Sequence, residues 1–257
     1  MNIRLAAALT LVSIVLALSG CAVPKQSPVF LSEDSLNAQS GRVGVVMAAL
    51  PKVDTEFPGV SCLLCMAAAS MTNSKLTSHA QTLPYEDLPK LKDKIAELMR
   101  KRGMNVVLTD GELDIKQLPD SANKGPNIAV KDFSSLQVKY GISKLVVIDI
   151  TGVGFTRSYS AYIPTSEPKA LLRGVGYMID LKTNSYSWYQ PVTIMKSADG
   201  AWDEPPNFPG LTNAYFQALE LGMENFLRPF GTPAAQARSS PAAPAMMPVS
   251  NSPQNAR

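Results

Sequence analysis

A single histidine in 257 residues removes several chemistries at once. A His-rich metal site is impossible, and so is any catalysis that needs two imidazoles. Three cysteines are too few for a disulfide-dense scaffold. Charge is sparse at 18% of residues, and the net +3 is too slight for a nucleic-acid footprint, which needs a clustered basic face. There is no Gly-x-Ser-x-Gly elbow and no His-Glu-x-x-His zinc motif. What is present is an ordinary apolar content of 46%, in a length that suits one large domain or two small ones.

The amino end reads as an address. Arg4 is the only charge before Leu5–Leu18, an almost unbroken apolar run. At about 14 residues it matches a signal-peptide core and falls short of a membrane-spanning helix. It ends in Leu18-Ser19-Gly20-Cys21. These residues resemble the lipobox of bacterial lipoproteins: a branched apolar residue, two small ones, then cysteine. The resemblance implies removal of residues 1–20 and a diacylglycerol thioether on Cys21, with acyl chains such as palmitate. Ala22 in place of Asp resembles the outer-membrane sorting pattern, so the expected location is the outer membrane, lipid-anchored and facing the periplasm. Two or three acyl chains make a stable anchor where one is marginal.

The mature chain divides by composition. Residues 21–40 are polar with Pro24 and Pro28 and read as a tether. Residues 41–230 have the size of one domain. Residues 231–257 are rich in Pro, Ala and Ser, lack acidic residues, and predict disorder. Arg4, Arg238 and Arg257 account for the formal charge excess, so the expected domain is close to neutral.

Inside the domain two periods alternate. Val43–Ala48 predicts a strand buried on both faces. Leu88, Leu91, Ile95, Leu98 and Met99 predict an amphipathic helix stopped at Gly103. A strand at 104–108, a short helix at 133–140 and a strong strand at 145–150 follow. A strand is expected at 156–163, then a hairpin from 175–182 and 186–194. Thr212 is the expected cap of a last helix bearing Tyr215, Leu219, Met223 and Phe226. The fold class is α/β (α+β): a single mixed sheet with helices packed against it, β-α-β-α-β, then an antiparallel meander and a C-terminal helix.

The run Lys139–Ile148, followed by a hairpin with Ile179-Asp180-Leu181-Lys182-Thr183 and Trp188, is similar to a small α/β domain of envelope proteins. That domain occurs at the amino end of the Tol propeller protein, in the curli secretion lipoprotein and in lipoprotein activators of penicillin-binding proteins. The family's Gly after Lys-Thr is Asn184 here, which also suits a turn. The resemblance implies docking or assembly and supplies no catalytic residue.

Cys62-Leu63-Leu64-Cys65 is the sharpest internal motif. With Ser61 as cap, a helix through Met71 sets both thiols on one face at its start. Three readings stay open: a local disulfide or two buried small hydrophobes, a redox pair activated by the helix N-terminus, or a soft-metal site with Met66, Met71 or His79. Met66–Ala69 reads as core and His79 as a surface residue. The acidic spacing of Asp110, Glu112 and Asp114 is not a calcium loop, because Ile115 stands where glycine is required. Gly152, Gly154, Gly174 and Gly176 read as bulges or close backbone contacts. Asp203 and Glu204 read as solvated. Tyr159, Tyr177, Tyr186 and Trp188 form a candidate partner-docking set on the meander, since Tyr and Trp are enriched at interface hot spots.

The function expected from these residues is a non-enzymatic adaptor or accessory factor in envelope assembly. Its expected partners are the membrane, through the lipid anchor, and an envelope protein, with homo-oligomerisation left open. No cofactor, metal or nucleic acid is expected. The alternatives are a subunit of an oligomeric outer-membrane secretion channel and a CxxC redox or copper-binding lipoprotein.

Overall fold

The β-branched run after Arg42 and the Leu-Val-Val-Ile run after Lys144 form neighbouring parallel strands at the centre of one mixed sheet. The computed structural model describes residues 26–37, 39 and 41–231. The lipobox, Cys21 and residues 232–257 lie outside the described residues. In chain order the elements are β1 (Arg42–Met47), β2 (Asp54–Glu56), α1 (Leu63–Thr72), α2 (Ser74–Ala80), α3 (Leu91–Lys101), β3 (Asn105–Leu108), α4 (Ser135–Tyr140) and β4 (Lys144–Thr156). Then come β5 (Tyr159–Ser160), β6 (Ile163–Pro164), β7 (Lys169–Asp180), β8 (Ser185–Ser197) and α5 (Pro209–Leu227). The sheet order is β3-β1-β4-β7-β8, parallel across β3-β1-β4 and antiparallel across β4-β7-β8. β2 continues the β1 edge by pairing in parallel with the far end of β4, at Gly154–Thr156. This is the α+β mixed sheet that the alternating periods imply.

Both faces of the sheet are covered, which explains why β1 and β4 read as unbroken apolar runs. On one face α3 and α5 bury Ile95, Met99, Tyr215 and Phe226 against Val45, Ile148, Leu172 and Trp188. On the other, α4 and the segment before it bury Ala129, Phe133 and Leu136 against Val46, Leu145, Val147 and Ile179. Gly176 makes room for the indole: a Cβ there would lie 2.4 Å from Trp188 Cη2. At Gly154, with φ +132, a Cβ would lie 2.0 Å from the Asp54 carbonyl oxygen. That close approach lets β2 join the sheet.

Four boundaries differ from the sequence expectation, each for a local reason. A bulge between Ile150 and Gly152 lets β4 continue to Thr156, so the strand expected at 156–163 is instead the end of β4 and the short β5–β6 hairpin. α1 begins at Leu63 with Cys62, not Ser61, at the N-cap. α5 begins at Pro209, whose fixed φ suits a first helical position. Thr212 therefore lies one turn inside, its hydroxyl 3.0 Å from the Phe208 carbonyl oxygen, and does not cap. Finally, part of the expected tether is docked on the domain. Val29 pairs with Tyr189 on the free edge of β8, Gln26 Nε2 donates to Asn127 Oδ1 at 2.9 Å, and Leu36 is buried.

Candidate functional site

The aromatic docking set is mostly interior. Trp188 is 1% exposed beneath α5 and meets Phe230 edge-on at 5.1 Å. Tyr177 lies in the second core, and Tyr159 is buried with its hydroxyl 2.6 Å from Asn73 Nδ2. Alternation along a strand separates two faces, but here helices or loops cover both, so alternating aromatics become core. Only Tyr186 is half-buried, its ring tilted against Tyr189 at 5.0 Å. Burial pushes the Tyr177 phenol well above its ordinary value and Tyr186 up to about 12. The nearby Asp149 carboxyl is raised by burial, an effect that Lys116 partly opposes. The β7–β8 hairpin, which a channel subunit would send into a barrel, is occupied within the domain, with Trp188 and Val192 in the core.

The exposed apolar surface lies elsewhere, at the end of the sheet reached by Thr156, Lys169 and Ser197. α1 follows β2 there and carries no charged residue. Only Cys65 and Ala69 of α1 are buried, and with Asn73 they form a narrow strip at i, i+4 and i+8. Leu63 is 91% exposed, Leu64 84% and Met71 77%, with Met66 also exposed. Met66, Ala67 and Ala68 are thus not core, contrary to the sequence expectation. α1 abuts the sheet end instead of lying across a face, so one strip of the helix suffices to seat it. The β5–β6 hairpin at the same end adds exposed Tyr162 and Ile163.

Polar contacts hold this apolar helix in place. Asn73 sits between α1 and α2, its Nδ2 donating to the Ala69 carbonyl at 2.7 Å and to Tyr159 Oη. Arg157 Nη1 donates to Asn73 Oδ1 at 3.0 Å, and its guanidinium stacks over Trp202 at 5.0 Å. Phe57 packs edge-on against Tyr159 at 5.8 Å. Helix α1 is therefore fixed at its C-terminal end while its other faces meet solvent. Exposed apolar side chains gathered at one end of a small domain make this end the candidate interaction surface.

Cys62 and Cys65 are joined in a disulfide at the start of α1. Cys62 is exposed and Cys65 is 7% exposed. The Cys65 backbone N–H donates to Cys62 Sγ at 2.9 Å, so the sulfur itself caps the helix. A bridge closing so short a loop removes little chain entropy, about 2 kcal/mol by the loop-closure relation. His79, named above as a candidate soft-metal ligand, instead faces α5, with Nε2 2.7 Å from Thr212 Oγ1. Burial lowers its pKa. Among the described residues no group of three or more His, Cys, Asp and Glu is arranged to hold a metal ion. No helix among them is long and apolar enough to cross a membrane. Leu63, Leu64, Met71, Tyr162 and Ile163 carry no motif. The one available signal for α1 is the absence of any polar face in Leu63–Met71.

No protein-family model matches this chain, and no curated protein resembles it in sequence. Several solved structures are similar to this chain at low identity. The PelC dodecamer from Paraburkholderia phytofirmans is similar at 8% identity and TM-score 0.32, covering 80% of this chain and 96% of that one. Protein XCC0632 from Xanthomonas campestris is similar at 12% identity and TM-score 0.35, covering 84% and 98%. Lipoprotein GNA1162 from Neisseria meningitidis is similar at 14% identity and TM-score 0.26, covering 72% and 98%. At these identities and scores the likeness carries no argument about what this chain binds or does.

Proposed function

We propose that this protein is an outer-membrane lipoprotein whose periplasmic domain is a non-enzymatic docking adaptor for another envelope protein. The supporting observation is the separation of its two ends. Gln26 and Val29 dock beside Asn127 and Tyr189, near the β7–β8 turn, whereas α1 lies past the opposite end of those strands. The eight residue steps from Tyr189 to Ser197, at the far end of β8, span about 27 Å. Five Cα–Cα steps separate Cys21 from Gln26, a reach of about 17 Å when extended. A lipid on Cys21 therefore holds the β7–β8 turn near the bilayer and turns the uncharged α1 surface away from it. The occupant of that surface is an apolar segment of a protein, because the anchoring bilayer is at the wrong end.

Cell fractionation of Cys21→Ala tests the anchor. The variant is expected in the soluble periplasmic fraction, and retention in the membrane fraction would overturn the reading. A photo-reactive residue at Leu64 in intact cells tests the orientation. It is expected to crosslink protein and not lipid, whereas one at Lys182 is expected to reach lipid headgroups.

A further inference from the structure

We propose that Cys62–Cys65 is a thiol–disulfide exchange site that reacts with cysteine thiols of an apolar polypeptide segment. Three features converge on it. The two cysteines differ in exposure, Cys62 being exposed and Cys65 7% exposed, which favours attack of an incoming thiolate at Cys62. Cys62 stands at the N-cap of a ten-residue helix whose first turn has no acidic side chain. Thiolate character at such a position is favoured by the helix dipole and by the N–H that already donates to Cys62 Sγ. Lastly, Leu63, Leu64 and Met66 surround the bridge with exposed apolar side chains. These suit a cysteine carried in an apolar peptide better than a small polar thiol.

The exchange balances without a further reagent. A thiolate of the peptide attacks Cys62 Sγ, forming a mixed disulfide as the Cys62–Cys65 bond breaks, and Cys65 leaves as a thiolate that takes up a proton. A second thiol of the same peptide then attacks the peptide's own bridged sulfur, forming the peptide disulfide and releasing Cys62, which is protonated in turn. Two electrons and two protons pass from the peptide dithiol to Cys62 and Cys65.

Exchange is read on the isolated full chain carrying Cys21→Ala, which removes the third thiol and the anchor, so it does not depend on the docking reading. The probe is a reduced synthetic peptide with two cysteines flanked by leucine and phenylalanine, followed by alkylation and gel shift near pH 7. The oxidised chain is expected to react with the peptide at least about tenfold faster than oxidised glutathione does. Equal or slower reaction would overturn the proposal. This measurement uses unsubstituted Cys62 and Cys65, so a folding defect cannot obscure it. Cys65→Ser is expected to trap a stable adduct with the oxidised peptide, and Cys62→Ser is not; equal trapping by both would refute the assignment of Cys62. The double variant Leu63→Ser and Leu64→Ser is expected to slow the peptide reaction about fivefold or more while leaving dithiothreitol within about twofold. Unchanged peptide rates would remove the apolar segment from the proposal.

Discussion

Asn184 illustrates how one side chain can serve two ends. It takes the left-handed φ of 55 at the β7–β8 turn, a conformation that favours glycine. Its amide also organises the covering segment: Oδ1 accepts the Phe133 N–H at 3.1 Å, and Nδ2 donates to the Lys131 carbonyl at 2.9 Å. Asn184→Gly keeps the φ and loses the bonds, so it should lower unfolding free energy by about 1–3 kcal/mol through the unpaired buried groups. Asn184→Ala adds a strained left-handed backbone and should cost about 1 kcal/mol more. Urea denaturation of the two variants checks the order. Asp149 gives a pH test. Burial raises its folded pKa, so the fold favours the protonated form and loses stability as pH rises through and above the ordinary carboxyl range. Asp149→Asn should therefore raise the urea midpoint near neutral pH, with the gain vanishing below about pH 3. The turn at Asn184 was legible from Lys182-Thr183-Asn184. Its hydrogen bonds were not, because their partners lie more than fifty positions away.

At the scale of elements, periodicity worked where one side of a helix or both sides of a strand are covered. α3 carries the expected stripe, with Leu91, Ile95 and Met99 buried. α1 has no stripe, and an apolar helix with no polar face is normally buried all round. Its position at the sheet end leaves most of it exposed instead. A test follows from the difference between its faces. The double variant Leu64→Glu and Met71→Glu should leave stability within about 0.5 kcal/mol, as for other exposed positions. Ala69→Leu, on the buried strip, should cost about 1–3 kcal/mol by overpacking. The same Glu variant should abolish protein crosslinks formed from Tyr162 in intact envelope while leaving the protein folded. Spacing brought Cys62 and Cys65 within reach of each other at a helix start and left a disulfide, a redox pair and a soft-metal site all open. Which cysteine is buried was not legible, since that depends on which side of α1 is packed against the rest of the domain.

Across the whole molecule, the lipobox residues and the docked N-terminal segment combine into an orientation that neither gives alone. Composition marks Cys21 and the apolar leader, but an extended tether of residues 21–40 would leave the domain free to present any surface. Docking of Gln26, Val29 and Leu36 on the domain shortens the free link, and under the proposed lipidation of Cys21 it would set one end of the sheet toward the membrane. The sequence by itself determined the mixed sheet, the succession of its main strands and helices along the chain and the β7–β8 hairpin, because these rest on local period and turn chemistry. Tertiary structure alone decided that Tyr159, Tyr177 and Trp188 are core and that α1 is surface. Exposure is set by which elements pack over a side chain, and that depends on chain segments far away in sequence.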